Sequence, residues 1–264
     1  MLIEVLSDHP GRQLRQTEGV IEAHQRSAVA HASAVTVLRR QQAAARRWWQ
    51  LGQLLADYQE VSELRAGAPV IDTGIYDRRA QQEAGVNAED VMTYALGRLS
   101  DDWLLFRGYV NRRGEIDHLL VGPAGIWAIE VKGRAVRVYV QGDRWSFEKF
   151  DRYGNLRDQG ALTDRKGRSW GRQVSDPAAD LGVFLKSRGV HNTVRTAVAV
   201  IHDRASLGSF ERSSVDVVSI GTEYLMNQIN AQPATLNVHT RNKITALIRR
   251  DHAFHVHRRK ERNR

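Results

Sequence analysis

The tetrapeptide Gly122-Pro123-Ala124-Gly125 constrains this chain most. It is a turn signal between two apolar runs, 115–121 and 126–132, and commits them to an antiparallel hairpin. A turn symmetric about Pro123 and Ala124 puts Asp117 opposite Glu130 and Glu115 opposite Lys132. Directly opposed residues carry Cβ atoms about 4.5–5.5 Å apart on one face. Two carboxylates then share one spot. Like charges so close are destabilising unless something positive sits between them, and a divalent cation held by oxygen ligands is the usual remedy. Glu130 and Lys132, two apart on one strand, share a face whatever the turn symmetry. A metal there can polarise a phosphodiester and lower the pKa of a bound water, while the lysine orients that water or offsets developing charge. The competing reading is a surface strand with a Lys–Glu pair and a stray aspartate. Ile116, Leu119, Leu120, Val121, Ile126, Trp127, Ile129 and Val131 argue against it, because they make both faces apolar, as in a central strand pair. Charges buried there are costly without a use.

The surrounding pattern predicts a helix over 88–99 and strands over 103–110 and 135–140 beside the hairpin. A polar loop follows over 142–171, then a helix over 172–187 with Val174, Leu181, Phe184 and Leu185 at helical spacing, and a β-branched strand over 193–201. A short strand over 215–220 and helices over 222–229 and 241–250 complete an α/β domain expected to span 81–251. Upstream, 1–66 reads as a helical arm, a long helix or a helix pair, because 14–64 contains no proline and is rich in Gln, Ala, Arg and Leu. Leu14, Ile21, Ala28, Val35 and Trp49 fall on a seven-residue spacing interrupted by Gln42, which suggests a coiled coil and leaves room for self-association. Arg39 with Arg46, and Arg40 with Arg47, lie on one side of that helix, where they track a phosphate backbone or simply face solvent. Trp48 and Trp49 beside them suit base stacking or packing. Gly67, Pro69 and Gly74 mark 67–80 as a linker. The segment 252–264 reads as a basic tail too polar to pack unaided, its His252, His255 and His257 belonging with Arg258, Arg259, Lys260, Arg262 and Arg264 rather than with a metal.

Lysine and arginine (39) outnumber aspartate and glutamate (30), for a formal charge of +9, which favours polyanionic partners such as nucleic acid. The absence of cysteine excludes disulfides, thiolate zinc sites and cysteine nucleophiles. No P-loop or Gly-x-Ser-x-Gly pattern occurs, so ATPase and serine-hydrolase chemistry lack support. No apolar run approaches the ~18–20 residues of a membrane span, and the first residues lack a signal layout. An unprocessed, cytoplasmic chain with no membrane partner is expected.

The run Gly114-Glu115-Ile116-Asp117-His118, followed by Gly125-Ile126-Trp127-Ala128-Ile129-Glu130-Val131-Lys132, resembles the NERD (nuclease-related) domain of the PD-(D/E)xK nuclease superfamily, over about 85–201. The resemblance implies a PD-(D/E)xK nuclease-like α/β core, a central mixed β-sheet flanked by helices, here preceded by the helical arm. It implies Mg²⁺, with Mn²⁺ able to substitute, held by Asp117 and Glu130, and Lys132 acting on the nucleophile. Glu89 matches a helix-borne glutamate that completes the metal shell, although a first-turn glutamate favoured by the helix dipole reads the same way. Gln173 matches a glutamine assigned to a phosphate or the attacking water. Arg165, Lys166, Arg168 and Arg172 form a basic, glycine-containing loop leading into a helix N-terminus, suited to DNA-backbone contact. Glu115, expected opposite Lys132, joins as a residue that tunes the lysine or merely pairs with it. His118 points away from Asp117 and is expected to pack or hydrogen-bond. The function implied is metal-dependent DNA hydrolysis. Its rivals are a non-catalytic DNA-binding or scaffold module and an RNA or structure-specific nuclease.

Overall fold

The hairpin forms in the register its turn dictates. In a computed structural model that describes residues 1–45 and 51–262, β3 (Glu115–Gly122) and β4 (Gly125–Lys132) pair antiparallel, with Gly122 opposite Gly125, Leu120 opposite Trp127 and His118 opposite Ile129. Arg46, Arg47, Trp48 and Trp49, singled out on the arm, lie outside the described residues.

The hairpin is the centre of a mixed sheet ordered β1-β2-β3-β4-β8-β10 among the described residues. Here β1 is Leu2–Val5, β2 Leu104–Val110, β8 Val194–Val200 and β10 Val217–Ile220. β1 runs parallel to β2, and β8 parallel to both β4 and β10. Both hairpin faces are buried, as their continuous apolar runs require. On one face α4 (Trp170–Ser187) and α6 (Val238–Arg262) pack Val174, Leu181, Leu185, Ile244 and Ile248 against Phe106, Leu119, Val121, Ile126 and Ala128. On the other, α3 (Gly74–Leu96) and α5 (Glu223–Asn230) pack Met92, Leu96, Leu225 and Ile229 against Leu105, Leu120, Trp127 and Ile129. α4 starts where Ser169 caps it, its hydroxyl accepting from the Arg172 amide at 3.2 Å.

The stretch expected as a polar loop over 142–171 contains two strands. β6 (Arg144–Phe150) and β7 (Leu156–Ala161) pair antiparallel and join β5 (Arg137–Gln141) and β9 (Ser206–Glu211) in a second sheet, ordered β7-β6-β5-β9. β7 is exposed along its whole length, so it carries no alternation for a pattern to reveal. β6 buries only Trp145 and Phe147.

The domain boundaries also fall differently. One compact unit comprises Met1–Pro10 with Glu83–Arg264, the other Gly11–Gln82. The N-terminus joins the first unit because β1 adds an edge to β2. The expected linker 67–80 is already helical from Gly74, whose amide is bound by the Asp72 carboxylate at 2.9 Å. The expected tail is the end of α6, helical through Arg262. Its polarity does not prevent packing, because the buried groups are satisfied: Tyr109 donates to Asp251 at 2.5 Å, and the Val110 amide donates to His252 Nδ1 at 3.1 Å.

The arm contains α1 (His9–Ala45), which runs on into the second unit, and α2 (Leu51–Ala66), in keeping with the helix pair that the sequence allows. Ile21 and Val35 of the heptad stripe are buried, and Gln42, its polar interruption, donates to Asp57 O at 3.2 Å and to Glu60 at 2.9 Å on α2.

Candidate active site

Past His118 and Ile129 the β3–β4 ladder stops. In antiparallel alternation the next hydrogen-bonded pair would be Ile116 and Val131; instead the Val131 amide donates to Asp117 Oδ2 at 2.8 Å. Asp117 and Glu130, expected face to face, therefore lie just beyond the last ladder pair. On the other side the β2–β3 register passes from Arg107–His118 to Tyr109–Ile116, skipping Gly108 and Asp117. Gly108 has φ 69°, and a Cβ there would stand 2.2 Å from the Ser7 carbonyl oxygen, so this kink needs glycine. The kink breaks the pleat: Ile116 and Leu119, three apart, enter the same core. Asp117, between them, turns toward the β4 backbone where the strands part.

Lys132 Nζ donates to Glu130 Oε1 at 2.5 Å and to Gln173 Oε1 at 3.0 Å, and Gln173 Nε2 donates to the Arg168 carbonyl at 3.2 Å. The shared face of Glu130 and Lys132 is thus realised, and α4 delivers Gln173 onto the lysine. Glu89 comes from α3 on the opposite side of the sheet. Its approach depends on Gly133, which follows β4: a Cβ at 133 would stand 2.2 Å from the Ala84 carbonyl oxygen and 3.1 Å from Ala88 Cβ. The α3 turn before Glu89 therefore rests directly on the end of β4. Gly133→Ala is expected to push α3 off the strand, costing about 1–3 kcal/mol; a denaturant midpoint equal to wild type would contradict this close approach.

The site is an electrostatic conflict. Burial pushes the Asp117 carboxyl well above the carboxylate range, and Glu130 and Glu89 push it further, against Lys132 and the Val131 amide. Glu89, 13% exposed, is pushed up to about 7, mostly by burial and in part by Glu130 and Glu115, while Arg107 opposes. Burial pulls Lys132 down, but Glu130, Asp117 and Glu89 outweigh it and hold the ammonium above its ordinary range. Arg107, which binds Glu89 at 3.5 Å and Asp90 at 3.1 Å, escaped the sequence reading. The available signal was a lone cation inside the apolar strand Leu104-Leu105-Phe106-Arg107.

Other expected residues take different places. Glu115 pairs with Val110 on β2 rather than opposite Lys132. Burial raises its pKa, opposed by His9, Arg259 and the Ser7 hydroxyl, and the end of the β3–β4 ladder is what separates it from Lys132. His118 is fully buried, its Nε2 2.8 Å from Thr93 Oγ1. Thr93 gives its proton to the Glu89 carbonyl at 2.8 Å, so His118 Nε2 is the donor. Burial takes His118 down to about 3, so it packs as a neutral ring. In the basic loop, Arg165 and Lys166 are exposed. Arg168 is engaged by Asp164 at 2.9 Å and Arg172 by Asp143 at 3.0 Å.

Among the described residues no three of His, Cys, Asp and Glu already stand as a ready metal cage. The chemistry of the donor set nevertheless fits a hard cation: Asp117, Glu130 and Glu89 offer only carboxylate oxygens, and their mutual repulsion is what such an ion relieves. Lys132 supplies the balancing charge in the metal-free arrangement. Residues 84–184 match the family model for NERD, the nuclease-related domain, and no curated protein or solved structure matches the chain.

Proposed function

We propose that this NERD domain is a metal-dependent nuclease that hydrolyses DNA phosphodiester bonds, with Mg²⁺ as its cofactor and Mn²⁺ able to replace it. The observation that carries this reading is the electrostatic coupling of Asp117, Glu130 and Glu89, part-buried or buried, beside Lys132, which donates to Glu130, at the opening of the β3–β4 hairpin. Asp117, Glu130 and Glu89 would hold the ion, which supplies Lewis-acid polarisation of the phosphodiester and a lowered pKa for the attacking water. Lys132, kept cationic by its acidic neighbours, orients that water or offsets the charge building on the phosphate oxygens. Gln173 acts through Lys132 as a positioning residue, because its carbonyl oxygen accepts from Nζ. Arg107 positions Glu89 in the same way. Arg165 and Lys166, exposed at the α4 N-terminus, serve the DNA backbone. No helix of the described residues is long and apolar enough to cross a membrane, and a cytoplasmic place of action belongs to the same proposal.

The test is incubation of the purified full chain with supercoiled, linear and single-stranded DNA and with RNA, in Mg²⁺, Mn²⁺ or EDTA, beside Asp117→Ala and Lys132→Ala. Cleavage of DNA that needs metal and disappears in both variants is the expected result. Binding of DNA with every substrate intact would make the domain a non-catalytic module, and preferential loss of RNA would move the substrate class. Undiminished cleavage in both variants would place the chemistry elsewhere.

A further inference from the structure

We infer that Arg134 is a phosphate-binding residue that seats the nucleic-acid backbone beside Lys132, next to a groove across the second sheet. This rests on the nuclease reading above and adds to it the contact that delivers the strand. Arg134 lies in the connector between β4 and β5, two residues beyond Lys132, and is exposed. Its guanidinium carbon stands 4.9 Å from the centre of the Phe147 ring and 6.0 Å from that of Trp170, while Lys132 Nζ stands 5.8 Å from the same Trp170 ring. Two cations therefore share one indole. The aromatic faces orient the guanidinium and attract it, yet they leave its charge in place.

Arg134 combines a fixed place over two aromatic rings with the absence of a counter-ion, which Arg144 and Arg165 share. Arg107 is engaged by Glu89 and Asp90, Arg112 by Asp180, Arg168 by Asp164 and Arg172 by Asp143. Arg134 has no carboxylate within ion-pair distance among the described residues. A preoriented guanidinium with a free fork, next to an ammonium, is the arrangement that takes a phosphate through paired hydrogen bonds.

The groove gives that phosphate a path. About 1350 Å³ in volume, it runs over β5, β6 and β7 to the loop before α4, with Arg144, Phe147, Lys166, Arg168 and Ser169 along it. Phe147 is the ring beneath Arg134, and the Arg168 carbonyl is the acceptor that fixes Gln173 beside Lys132. The groove is thus linked to the two cations through Phe147 and Arg168, which line it, while neither cation does.

The experiment is fluorescence anisotropy of the full chain with labelled single- and double-stranded DNA and RNA of one sequence, in EDTA so that nothing is cut, over a series of salt concentrations. Arg134→Gln is expected to weaken binding roughly tenfold or more and to reduce the salt slope by about 0.7–0.9, one phosphate contact. Arg134→Lys should keep the slope and recover only part of the affinity. Arg172→Gln, which removes an already neutralised cation, should lose less than Arg134→Gln. A guanidinium that merely shielded Phe147 would lower the melting temperature without moving the salt slope. If wild type binds and Arg134→Gln matches it in affinity and slope, the inference is overturned, whatever the cleavage result. No binding by wild type overturns it too. If binding depends on Arg134 but no substrate is cleaved in Mg²⁺ or Mn²⁺, Arg134 keeps its role and the nuclease reading falls.

Discussion

Asp117→Asn is expected to cut metal-dependent cleavage by about 10²–10³-fold or more while leaving the metal-free protein at least as stable as wild type. The two effects have one cause. Asp117 is a part-buried carboxyl whose ionised form is opposed by desolvation and by the charges of Glu130 and Glu89. Asparagine is neutral and nearly isosteric, and its Oδ1 still accepts from the Val131 amide, the bond that replaces the missing ladder contact. The substitution thus removes the repulsion and keeps the architecture. A gain of about 1–2 kcal/mol corresponds to a few degrees in melting temperature for a domain of this size. Lys132→Ala should behave oppositely on the stability side. It strips the counter-charge from buried Glu130 and leaves carboxylates uncompensated, so activity and stability fall together. Thermal melts in EDTA beside cleavage assays in Mg²⁺ separate the two variants. Asp117→Asn that melts well below wild type would mean the ionised carboxylate holds the fold together, and the site would then be structural.

The second large effect is on stability against pH. Glu89 sits at about 7 in the folded protein, above the ordinary 4.5. Between those values the folded state binds more protons than the unfolded state, so stability declines as pH rises through that window. The penalty is absent below about pH 4.5 and complete above about 7, reaching about 3 kcal/mol at most. Asp117 is shifted in the same direction. Other carboxylates, Asp143, Asp151 and Asp164, are lowered, by Ser214 and Arg172, by the Asn155 amide, and by Arg168 respectively, and they contribute stability that is lost in acid. The informative quantity is therefore the difference between wild type and Glu89→Gln. Unfolding free energies in EDTA should show wild type losing ground to Glu89→Gln as pH rises from 4.5 to 7, and a flat difference would remove Glu89 from the cluster. Millimolar Mg²⁺ at pH 7.5 should restore wild type, by about 2.7 kcal/mol at a hundredfold excess over Kd. A wild-type melting temperature that ignores Mg²⁺ and Mn²⁺ would leave the carboxylates without a metal role.

The sequence carried the hairpin well because its information is local. A Gly-Pro-Ala-Gly turn sets the pairing of Gly122 with Gly125, and strand periodicity carries that register to His118 and Ile129 without outside help. The α4 stripe of Val174, Leu181 and Leu185 and the β-branched run of β8 are equally self-contained. Patterns failed where an element carries no buried face of its own, as in β7, or borrows its satisfaction from afar, as the end of α6 does from Tyr109 and Val110.

The site divides along the same line. The presence of Asp117, Glu130 and Lys132 on one hairpin, and the shared face of the last two, follow from spacing alone. Three features were decided by the tertiary structure. The β3–β4 ladder ends just before Asp117, beside Gly108 of β2, whose φ of 69° and contact with Ser7 admit only glycine. Glu89 reaches the cluster because Gly133 has no side chain to hold α3 away. Glu115 turns to His9, Ser7 and Arg259, which come from opposite ends of the chain. Local turn chemistry and side-chain alternation are properties of neighbours in sequence. Close backbone approach and the sharing of buried charge belong to segments that meet only after folding.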